Sequence, residues 1–89
     1  MNLLVEWFEE LLSNAQKERP KRQAYVNREF AWVTYEREVM FDGVNSERAK
    51  LGYCPVTLAQ LRVAENAATG HTDYVKKFAL YCAELVLTT

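Results

Sequence analysis

Near the start of the chain the apolar residues fall at Leu3, Leu4, Trp7, Phe8, Leu11 and Leu12. This recurrence at i, i+1, i+4, i+5, i+8 and i+9 follows the period of an α-helix. It predicts a helix over 2–17 with one wide apolar stripe, and with Glu6, Glu9, Glu10 and Ser13 off that stripe. An isolated helix of this length is marginal in water, so the stripe must dock on something. Pro20 cannot continue the helix, and the charged run KERPKRQ suits a solvated connection.

The next stretch, AYVNREFAWVTYEREVMFDGVNSERAKLG, is apolar on two sides. At 100° per residue, Val26, Phe30, Val33, Met40, Phe41 and Val44 share one face, while Tyr25, Trp32, Tyr35 and Val39 fall nearly opposite. One long helix over 24–50 accommodates both faces, and a helix of that kind is sandwiched between neighbours or meets another molecule. The β-propensity of FAWVTY offers a short strand within 29–36 as the alternative. Gly43 weakens a helix by about 1 kcal/mol relative to alanine and suggests a bend or an end. Arg37 lies within the first stripe, where its stem can pack while its head reaches water or a carboxylate.

LGYCPVT breaks the pattern: Gly52 suits a helix C-cap and Pro55 delays the next helix. Thr57 and Gln60 then match a capping box, with Val56 and Leu61 at the two positions of a hydrophobic staple, so a helix begins at Leu58 and runs to about Thr69. In the last segment, 73–87, Tyr74, Val75, Phe78, Ala79, Cys82, Leu85 and Val86 line one side of a further helix. The expected fold is all-α, a single domain over 1–89 whose long second helix is central to four helices at 2–17, 24–50, 58–69 and 73–87.

Composition adds two constraints. A chain of 89 residues buries a modest fraction of its surface, so packing against a partner would help it. Aromatic residues make up 12% of it, more than so small a core absorbs, which leaves some near the surface as contact anchors. The start carries no basic region of the signal-peptide type, and no apolar run approaches a membrane span. The chain reads as soluble and cytoplasmic, with no membrane partner and with Cys54 and Cys82 reduced.

Candidate chemistry is sparse. His71, the one histidine, sits in ATGHTDY between two predicted helices. Gly70 can supply a left-handed C-cap there, and Thr72 or Asp73 can cap the helix that follows, which leaves His71 at an exposed corner. Cys54, His71 and Cys82 are too widely spaced for a structural metal, so none is expected. A cysteine nucleophile would need His71 as base; Cys54, in a loop, suits that role better than Cys82, which is centred in an apolar stripe. The three glycines are too far apart for a phosphate loop, and the neighbouring carboxylates read as solvated helix faces. The expectation is a non-enzymatic protein without a cofactor.

Two binding readings remain. Lys17, Arg19, Lys21, Arg22 and Arg28, against Glu18 alone, give the 16–28 segment a charge of +4 in a chain whose total is −1. That basic segment, with Tyr25 nearby, could contact phosphates and stack a base. The helices flanking Gly70 do not resemble a groove-reading pair, because the second offers only Lys76 and Lys77. Protein–protein association fits better. The aromatic face of Tyr25, Trp32, Tyr35 and Val39 holds residue types that anchor interfaces, with a dedicated protein or a second copy as partner. Such a chain would suit a small accessory, adaptor or inhibitor protein of the sort encoded by phages and mobile elements.

Overall fold

A computed structural model of the chain describes residues 3–18 and 28–88, and of residues 28–34 it describes the backbone. Among these residues there are four helices and no strand: α1 (Leu3–Lys17), α2 (Arg28–Lys50), α3 (Leu58–Ala68) and α4 (Tyr74–Leu87). The all-α expectation holds, and the backbone over 29–36 is helical throughout. β-Propensity there is a weak local preference that long helical periodicity overrides. Residues 24–27, where the second helix was expected to start, lie outside the described residues.

The core is one cluster. Phe8 and Leu12 come from α1, Met40 and Val44 from α2, Leu61 and Ala68 from α3, and Phe78, Cys82 and Val86 from α4. The long second helix touches each of the other three, as expected of a central element. The C-terminal helix shares that role, packing on α1, α2 and α3 and burying Phe78, Ala79, Cys82, Ala83 and Val86. Its small residues explain the position: Ala79, Cys82 and Ala83 let three neighbours approach one helix closely.

Local signals account for the helix ends. At the end of α2, Tyr53 N–H donates to the Arg48 carbonyl at 2.9 Å and Gly52 N–H to the Ala49 carbonyl at 3.1 Å, the paired bonds of a Schellman turn. Gly52 takes φ +77°, a left-handed conformation that an L side chain rarely adopts. Thr57 caps α3 with both bonds of the capping box present, and the staple residues Val56 and Leu61 are both buried. The Gly70 corner also forms, with φ +92°. Asp73, however, does not cap α4 through its side chain. Its ψ of 48° is not the extended geometry that aims a cap carboxylate at the first turn, and its carbonyl instead accepts from Lys77 N–H at 2.8 Å.

Gly43 does not end α2, which runs through it to Lys50. Its role is close approach. A Cβ at this position would lie 2.8 Å from Leu11 Cδ2, 3.2 Å from Phe8 Cε1 and 3.5 Å from Trp7 Cη2. The gain from letting α1 pack this tightly offsets the helix-propensity loss that glycine brings.

Candidate functional site

The α1–α2 contact sets the geometry of the candidate binding surface. Near one end, Leu11, Phe8 and Trp7 surround Gly43; near the other, the Tyr35 hydroxyl donates to Glu18 Oε2 at 3.0 Å. The two helices therefore run antiparallel, with the predicted aromatic flank of α2 turned partly toward α1. Tyr35 and Val39 are both half-buried along this seam. Tyr25 lies outside the described residues, as does the side chain of Trp32, whose backbone position falls on the same flank by helical register.

The wide apolar stripe of α1 is only partly used. Phe8, Leu12 and Ala15 are buried, whereas Trp7 is 40% exposed and Leu3 78% exposed. The inward direction of α1 is set by Phe8, Leu12 and Ala15. At 100° per residue Trp7 sits about 110° and Leu3 about 150° around the helix from it, so a stripe this wide cannot all face the core. Trp7 stacks edge-on against Phe8, with ring centroids 4.9 Å apart, which fixes the indole at the rim of the seam. These two residues were read from the sequence as docked; the structure leaves both at the surface of α1, with Trp7 near the Gly43 end of the seam, opposite the Tyr35 end.

The candidate chemical groups are not assembled. His71 is exposed at the corner, where its backbone N–H donates to the Ala68 carbonyl at 3.2 Å. Cys54 is exposed in the 51–57 loop and Cys82 is buried in the core. Burial pushes the Cys82 thiol up from its ordinary value to about 12, and the negative charge of Glu65 adds to the shift. Two results are expected. At pH 8 a thiol reagent should label Cys54 in the native protein and Cys82 only after denaturation, as read by mass spectrometry. Cys82 should also make folding less favourable as pH rises from about 9 toward 12, because the unfolded thiol loses its proton first. A Cys82→Ala variant should show a flatter stability profile across that range. Native labelling of both thiols at equal rates would contradict the burial.

Two arginines do structural work. Arg37 packs within α2 and reaches Glu65 of α3, with Nε and an Nη each 3.0 Å from Oε1, and Arg62 Nε lies 3.4 Å from the same oxygen. These groups border a cleft of about 350 Å³ between α2, α3 and the start of α4. Arg48 is 6% exposed. It donates to the carbonyls of Cys54 (2.6 Å), Leu85, Val86 (3.3 Å) and Thr88, with the Tyr53 ring centroid 5.4 Å from the guanidinium carbon. Its partners among the described residues are carbonyl oxygens at the end of α4 and in the loop, where the negative end of the α4 dipole favours a cation. The sequence carried a signal for this: Arg48 continues the buried i, i+4 series of Met40 and Val44.

Of the basic segment, Lys17 is exposed at the end of α1. Arg19, Lys21 and Arg22 lie outside the described residues, and so does the side chain of Arg28, the first residue of α2. Among the described residues no three histidine, cysteine or acidic side chains are grouped to hold a metal ion, and no helix is long and apolar enough to cross a membrane. No protein-family model, curated protein or solved structure matches the chain.

Proposed function

We propose that this is a non-enzymatic protein–protein interaction module whose contact surface is the α1–α2 seam. The observation that carries the reading is the placement of Leu3 and Trp7. Two large apolar side chains one helical turn apart on α1 stand 78% and 40% exposed, Trp7 of them beside Gly43 at one end of the seam whose other end holds the half-buried Tyr35. A tryptophan held in place by packing, yet still offering surface, is the type of side chain that dominates binding energy at interfaces. The partner is a protein with a complementary apolar patch, either a different chain or a second copy of this one. The burial of Cys82, which withholds its thiol from solvent, is in keeping with a role without bond chemistry.

Leu3→Ser combined with Trp7→Ser tests this. The pair is expected to leave the helical circular-dichroism spectrum intact, lower stability by about 1 kcal/mol and weaken binding at least roughly tenfold. Undiminished binding by the folded double variant would remove the seam from the interface.

A further inference from the structure

The other end of the bundle, away from the Tyr35 end of the seam, is held together through one side chain. Arg48, in the last turn of α2, takes the Cys54 carbonyl from the 51–57 loop and the Leu85, Val86 and Thr88 carbonyls from the end of α4. We propose that the 51–57 loop and the last turn of α4 form a single latch that opens and closes as one unit about Arg48.

The coupling follows from burial. If the last turn of α4 departs, the guanidinium keeps only the Cys54 carbonyl among these acceptors and must be rehydrated. Water reaches it only if the loop that covers it, with Tyr53 against its face, also moves. If the loop departs first, water competes for the donors that hold Leu85 and Thr88, and those hydrogen bonds lose the low-dielectric surroundings that strengthen them. Each segment thus maintains the conditions that hold the other. Besides its turn hydrogen bonds and the buried Val56, the loop is anchored by Asn45: its Nδ2 donates to the Val56 carbonyl at 3.4 Å, and Val56 N–H donates to its Oδ1 at 2.8 Å. Opening would expose Val56 and Val86, which are buried at 5% and 1% exposure, next to Leu51 and Leu87, already exposed. The open latch therefore presents an apolar surface that the closed one lacks, and cooperative sub-global units of this kind are the segments that proteins use for switching.

Native-state hydrogen exchange of the full chain tests the coupling. Asn45→Ala removes the two hydrogen bonds to Val56 and none of those that Arg48 makes to the end of α4. It is expected to speed exchange at the Tyr53 amide and at the amides of 85–88 by the same factor, about fivefold, with the amides of 8–12 unchanged. Acceleration confined to the loop, or uniform acceleration through all four helices, would overturn the latch. A second variant locates the coupling. Lysine at position 48 has a single ammonium in place of the planar fork, so in an Arg48→Lys background Asn45→Ala should no longer change exchange at 85–88. A persisting effect would show that the coupling does not run through Arg48.

Discussion

Replacing Arg48 with alanine is expected to lower the free energy of unfolding by about 3 kcal/mol, or roughly 15 °C in melting temperature for a chain of this size. The loss has two parts. Charge-assisted hydrogen bonds to the carbonyls of Cys54, Leu85, Val86 and Thr88 disappear, and those acceptors are left in a site where Arg48 itself is 6% exposed. Arg48→Lys should recover less than half of the loss, because an ammonium cannot span the loop and the helix end at once. Urea denaturation followed by circular dichroism measures both variants. An alanine variant within 1 kcal/mol of the parent would mean that water replaces the guanidinium at little cost.

The second large effect is expected at Gly43. The space beside it is occupied at 2.8 Å by the tip of Leu11 and at 3.2 Å by the buried Phe8 ring. Alanine adds one methyl group, gains about 1 kcal/mol of helix propensity and displaces the flexible end of Leu11, so the net change should be within about 1 kcal/mol. Leucine cannot be accommodated this way. It must push α1 away from α2, disturbing Phe8 and Leu12, and should destabilise by about 3 kcal/mol. Urea midpoints of the two variants separate crowding from propensity. If leucine were tolerated as well as alanine, the close approach of α1 would carry little of the stability.

Much of this fold was legible in the sequence because its signals are local. The Thr57 capping box, the Gly52 and Gly70 turns and the periodicity of α4 each depend on residues within one or two helical turns. The features that were misread depend on how helices meet. Gly43 reads as a helix breaker until α1 lies across it. Leu3 and Trp7 read as docked because a wheel shows that a stripe is apolar, not where a neighbour ends. Asp73 is a cap residue by type, yet at its ψ of 48° the side chain makes no cap hydrogen bond. Arg48 shares the buried spacing of Met40 and Val44, but what it holds depends on the end of α4, 37 to 40 positions further along the chain. At the proposed site, the sequence offered the α2 flank of Tyr35 and Val39, both half-buried in the structure, but not the exposed α1 residues Leu3 and Trp7.

The seam is tested most directly by affinity capture of the tagged protein from cell lysate, with and without nuclease, run beside the folded Leu3→Ser, Trp7→Ser variant. A stoichiometric protein partner, or untagged copies of the chain itself, that survives nuclease and is lost in the variant is the expected result. Material that disappears with nuclease, or a partner retained equally by the variant, would contradict an interface at the α1–α2 seam; the first outcome would instead favour the basic segment around Lys17, Arg19, Lys21 and Arg22.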